Sequence, residues 1–72
     1  MSYPLTPVES SNIAAIAYTE ATQTLVVAFR NNSVYEYYNV PEAVGEGFRL
    51  AESAGKYLWS HVRGIYEYKR VV

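Results

Sequence analysis

Thr24-Leu25-Val26-Val27-Ala28-Phe29-Arg30-Asn31-Asn32-Ser33-Val34-Tyr35-Glu36-Tyr37 is the stretch on which the fold turns. Its first seven residues are rich in β-branched and aromatic side chains, as a half-buried strand requires. Residues two apart on a strand share a face, so Leu25, Val27 and Phe29 make the apolar side and Arg30 leans the other way. Asn31-Asn32 tolerates left-handed backbone and predicts a two-residue hairpin turn into a second strand, Ser33 to Asn39. Upstream, Ile13-Ala14-Ala15-Ile16-Ala17-Tyr18 reads as a strand joined to Thr24 through the loop Thr19 to Gln23. The three together form an antiparallel meander.

Downstream the period changes at Val40-Pro41-Glu42. Proline suits a first helical turn, and Glu42 and Glu46 suit the positive end of a helix. Val44, Phe48 and Ala51 fall at i, i+4 and i+7, which predicts a main helix running to about Ser53 or Ala54. Gly45 and Gly47 each cost that helix about 1 kcal/mol relative to alanine, so it depends on docking against the sheet. Gly55 reads as its stop signal. Lys56 to Arg63 reads as a short second helix ended by Gly64, and Ile65 to Val71 as a last strand. The expected fold class is α+β: a small three-stranded antiparallel meander, then a main helix, a short helix and a fourth strand. Residues 1–8, with prolines at 4 and 7, read as an extended, mobile leader, and 9–72 as one domain.

Composition sets the limits. Half of the 72 residues are apolar, eight are tyrosine, none is cysteine or aspartate, and one is histidine. A chain this short buries about 60% of its unfolded surface, so one small core holds everything, with no disulfide to help. A formal charge of −1 argues against a general polyanion binder. The first residues lack the basic and apolar regions of a signal peptide, and no run approaches the ~18 apolar residues of a membrane span. The expectation is a cytoplasmic chain with no membrane partner.

Tyr35-Glu36-Tyr37 and Tyr66-Glu67-Tyr68 each put two rings on one strand face and a glutamate on the other. Such stripes serve either as a stacking platform for unpaired bases or as core beneath a helix. Glu67 and Lys69 share the face opposite Tyr66 and Tyr68, and clustered charge marks solvent, which favours core for the rings.

Little here suits catalysis. His61 next to Ser60 has no aspartate to orient it, and adjacent helical residues point in different directions. Gly45-Glu46-Gly47 lies within a helical pattern rather than after a strand, so it is no phosphate loop. The expectation is a non-enzyme with no cofactor and no metal. Charge is uneven, however. Residues 1–48 hold Arg30 against five glutamates, a net −4; residues 49–72 hold Arg49, Lys56, Arg63, Lys69 and Arg70 against two, a net +3. The same half carries Tyr57, Trp59, Tyr66 and Tyr68, so cations and stackable rings interleave. Trp59 is either an exposed contact or the lid of a small core.

The ordered set Ser11-Asn12-Ile13, Ala15-Ile16-Ala17-Tyr18, Leu25 to Phe29, Val34-Tyr35-Glu36-Tyr37, Val40-Pro41, Ala51-Glu52-Ser53-Ala54-Gly55-Lys56-Tyr57 and Val62-Arg63-Gly64 through Tyr68 resembles the KTSC domain. The likeness runs from about residue 9 to 70. It departs from the family at Tyr57-Leu58-Trp59-Ser60, where an Asn commonly follows a Tyr-Phe pair. That family is named for its place at the C-terminus of some lysyl-tRNA synthetases and also occurs as free-standing bacterial or phage proteins. What the resemblance implies is an RNA link, through the synthetase context; it carries over no catalytic residue. The expected function is a binding module for RNA or tRNA. Arg49, Lys56, Arg63, Lys69 and Arg70 would meet phosphate, and Trp59 and Tyr57 would stack on bases. The alternative is a protein-interaction module that binds a partner or itself.

Overall fold

A computed structural model describes residues 2–72. Among them one antiparallel sheet holds five strands in chain order: β1 (Tyr3–Pro7), β2 (Ile13–Thr19), β3 (Thr24–Phe29), β4 (Val34–Tyr37) and β5 (Tyr68–Arg70). Two helices, α1 (Glu42–Leu50) and α2 (Ala54–Tyr57), lie between β4 and β5, and α2 runs on into a π-helical turn, Leu58–Val62. The α+β architecture holds, with one strand more than the meander predicted. That strand is β1. Tyr3–Pro7, expected in a mobile leader, pairs with β2 through Tyr3↔Tyr18, Thr6↔Ile16 and Pro7↔Ala15. Its prolines are compatible with this because β1 is an edge strand, where a missing N–H can face away from the sheet. Met1 lies outside the described residues.

The hairpin joining β3 to β4 also differs from expectation. Asn32 N–H donates to Phe29 O (3.1 Å) and Phe29 N–H to Ser33 O (2.8 Å), so the loop has three residues, Arg30-Asn31-Asn32. Asn32 takes the left-handed conformation (φ 70°) that such loops demand of their last residue. α1 stops at Leu50, short of the expected Ser53, because Ala51 turns extended (φ −67°, ψ 140°). That leaves Ser53 free to cap α2: its side chain accepts from Lys56 N–H. Gly55 therefore lies inside a helix and ends none. The last strand is shorter than Ile65 to Val71; Tyr66 N–H still donates to Val62 O (3.2 Å), closing the turn before β5.

One sheet face packs under the helices. Ile16, Tyr18, Leu25, Val27 and Tyr37 meet Val40, Phe48, Ala54, Leu58 and Val62 in a single buried cluster. Two tyrosine hydroxyls fasten α1 to this core, Tyr3 donating to Gly45 O (2.9 Å) and Tyr57 to Val44 O (3.0 Å), and Tyr18 holds the segment just ahead of it by donating to Val40 O (2.5 Å). Such pairing is what makes buried phenols tolerable. Burial pushes the Tyr3 hydroxyl up to about 12, with Glu46 adding to the effect. It raises Tyr18 and Tyr57 as well.

Candidate nucleic-acid interface

The segment after Ser53 presents a mixed cationic and aromatic surface because its inner side is spent on the core. Ala54, Leu58 and Val62 are buried, which leaves Lys56, Trp59, Ser60 and Arg63 facing out. The π-helical turn closes with Arg63 N–H donating to Leu58 O at 2.7 Å. The Arg63 guanidinium lies 4.1 Å from the centre of the Trp59 ring, a cation–π contact that holds both side chains at one spot. Trp59 is 64% exposed, so it is no lid on the core. With Ser10, Ser11 and Asn12 from the loop before β2, this segment lines a groove of about 560 Å³.

A second hollow, of about 250 Å³, adjoins the first through Phe29, Leu58 and Arg63, which line both. Its aromatic wall comes from strand register. Tyr35 pairs with Val27 and Arg70, and Tyr37 with Leu25 and Tyr68, so these rings fall on the helix-facing side of the sheet. Phe29 meets Tyr35 edge-on (5.5 Å between centres, 84°), and Tyr68 lies 5.7 Å from Tyr35 and 5.6 Å from Tyr37. Tyr37 is buried at the floor, where desolvation raises its hydroxyl and nearby Arg63 partly offsets the rise. Tyr68 is 60% exposed at the rim. The stripes expected to be core are thus split: Tyr37 is core, Tyr35 and Tyr66 are half-buried, and Tyr68 faces solvent.

The structure brings together only part of the predicted set. Lys56, Trp59 and Arg63 line one groove. Arg70 shares the sheet face of Tyr35 and Tyr68, at the edge, with Nε donating to Val72 O (2.8 Å). Lys69 pairs with Glu36 in register and so points from the opposite face. Arg49 is paired with Glu46 and sits near Tyr3, at the β1 side of the molecule. Tyr57 is not available for stacking: its ring lies on His61 (4.3 Å, 14°) and beside Phe48, and its hydroxyl is held by Val44 O. Phe29, Asn31, Tyr35 and Tyr68 line the smaller hollow and were absent from the predicted set. For Tyr35 and Tyr68 the signal was there, in the repeated Tyr-Glu-Tyr; for Asn31 there was none.

Among the described residues no three His, Asp or Glu side chains gather into a group that could hold a metal ion, and no helix is long and apolar enough to cross a membrane. Comparison with known proteins gives the chain its relatives. The family model of the KTSC domain matches residues 9–66. The chain belongs to this family. A crystal structure of a KTSC domain protein from Yersinia pestis superposes with a TM-score of 0.91 at 29% identity, covering 96% of this chain and 97% of that one. A lysine–tRNA ligase of Nostoc sp. is 37% identical over 71 residues, 99% of this chain but 13% of the ligase. A protein of Tsukamurella paurometabola is 42% identical over 52 residues, 72% of this chain and 78% of that protein. The KTSC domain described here thus spans a small fraction of the ligase it matches.

Proposed function

We propose that this KTSC domain is a non-catalytic RNA-binding module, acting in the cytoplasm, whose contact surface is the double groove between the β3–β5 end of the sheet and the α2–π segment. The observation that carries the reading is the Arg63–Trp59 pair at the junction of a basic groove and an aromatic hollow. Cations that follow a backbone, beside rings that take bases, are how proteins hold single-stranded nucleic acid without enzymatic chemistry. Lys56, Arg63 and Arg70 contact phosphate, and Trp59 offers its exposed ring to a base. Similarity to part of a tRNA ligase supports RNA as the polymer.

Titration with single-stranded RNA and with tRNA, followed by Trp59 fluorescence at about 50 and 200 mM salt, tests this. Two or three phosphate contacts at about −0.7 each give a slope near −1.4 to −2.1, so affinity falls about 7- to 20-fold over that range. A flat titration at low salt, with no shift in a mobility assay, sinks the reading. Trp59 is also the side chain on which a protein-interaction reading rests, because a large exposed ring commonly marks a contact surface. A dimer in sedimentation that Trp59→Ala abolishes would favour that alternative.

A further inference from the structure

The polar end of the smaller hollow is built by the β3–β4 hairpin, and its hydrogen bonding is one-sided. Asn31 Oδ1 accepts from Ser33 N–H (3.0 Å) and from Ser33 Oγ–H (2.5 Å). A backbone N–H can only donate, so this pair fixes which end of the Asn31 amide is oxygen. The oxygen is used up within the hairpin, while the exposed amide nitrogen keeps two N–H donors that no group among the described residues accepts. Ser33 is itself buried, so the arrangement is anchored, and both residues line the hollow. At about 250 Å³ the space lies below the usual range of drug-sized ligand pockets, about 300–1,000 Å³, and has room for one flat ring system.

We infer, on the basis of the RNA reading above, that this hollow takes one unpaired base, held against Tyr35 and Tyr68, and prefers a base with a carbonyl oxygen at C4 of a pyrimidine or C6 of a purine, uracil or guanine. Asparagine reads adenine by using its oxygen and its nitrogen together. Here the oxygen is spent on Ser33, so the amide can only donate. Entering by the same C4 or C6 position, adenine and cytosine would set an exocyclic amino group against it, donor facing donor. Uracil and guanine set an acceptor there. Arg63, between hollow and groove, meets the phosphate next to the inserted base. Duplex RNA is a poor ligand for this hollow, because its bases are stacked and their edges paired.

The test uses short oligoribonucleotides with abasic positions flanking one central base, so a single base is available to enter. Inosine is compared with adenosine, and uridine with cytidine, each pair sharing its ring frame and differing in carbonyl against amino. The expected preference is about 3- to 10-fold for inosine and for uridine, the worth of one or two neutral hydrogen bonds. Asn31→Ala should erase the preference, and Tyr68→Ala should weaken all four probes together. Equal affinity of wild-type protein for all four overturns the inference and leaves RNA binding standing. So does salt-dependent binding of long RNA with none of the single-base probes. If no RNA binds at all, the broader reading fails first. The wild-type comparison needs no variant, so it decides even where Asn31→Ala disturbs the hairpin.

Discussion

Gly45 and Gly47 stand in the middle of α1, where each costs the helix about 1 kcal/mol relative to alanine. A Cβ at Gly45 would lie 2.8 Å from Cγ and Cδ1 of Tyr18. That ring cannot step aside: it is buried, and its hydroxyl is tied to Val40 O. Overpacking of this kind costs about 1–3 kcal/mol, which outweighs the gain in helix propensity. Gly45→Ala should therefore destabilise the domain by up to about 2 kcal/mol, and in so short a chain each kcal/mol lowers Tm by about 4–8 °C. Gly55→Ala is the control, because its Cβ would meet only Ser10 Oγ at 3.7 Å. It should raise stability by up to about 1 kcal/mol. Thermal melts of the two variants with opposite signs would tie both effects to approach distance; a stable Gly45→Ala would refute the tight docking of α1.

At the scale of elements, β1 is laddered to β2 and reaches α1 through one side chain. Tyr3 pairs with Tyr18 across the strands and donates to Gly45 O on α1. Its hydroxyl is raised to about 12 in the fold, against about 10 unfolded. Between those values the folded state keeps a proton that the unfolded state has lost. The stability this group supplies is therefore complete below pH 10 and is lost as pH climbs toward 12. The domain should melt at constant temperature up to about pH 9.5 and progressively lower above it. Tyr3→Phe should lose about 0.5–1.5 kcal/mol at neutral pH, the worth of the hydrogen bond, and make the alkaline decline shallower without removing it, because Tyr18, Tyr37 and Tyr57 are raised too. The hairpin makes a separate prediction. Asn32 at φ 70° suits asparagine and not a β-branched residue, so Asn32→Val should cost about 1–2 kcal/mol by chemical denaturation. These two elements also mark how far the sequence could be read. β3 and β4 were legible because their alternation is strong and the Asn pair interrupts it. β1 was not, because Pro4 and Pro7 read as breakers and only Tyr3 and Thr6 turn inward, too few to form a pattern.

For the whole molecule, the charge split along the chain does not become a charge split in space. Residues 49–72 carry net +3, yet their cations leave in different directions. Lys56 and Arg63 line one groove because they flank Trp59 on one continuous segment, so proximity in sequence is proximity in the fold. Lys69 was misgrouped because strand alternation sends it to the face away from Arg70. Arg49 was misgrouped because the chain turns back at Ala51, leaving it beside Tyr3 and bound to Glu46. Counting charge by position cannot register either reversal. The groove predicts a division that net charge does not. Arg63→Glu and Lys56→Glu should each weaken RNA binding and make the salt slope shallower by about 0.7, one phosphate contact apiece. Arg49→Glu and Lys69→Glu change net charge identically but lie outside the groove. At 200 mM salt, where the Debye length is under about 10 Å, they should leave affinity within about twofold. Equal losses from all four substitutions would mean that RNA feels only the overall charge, and the grooved surface would then have no part in binding.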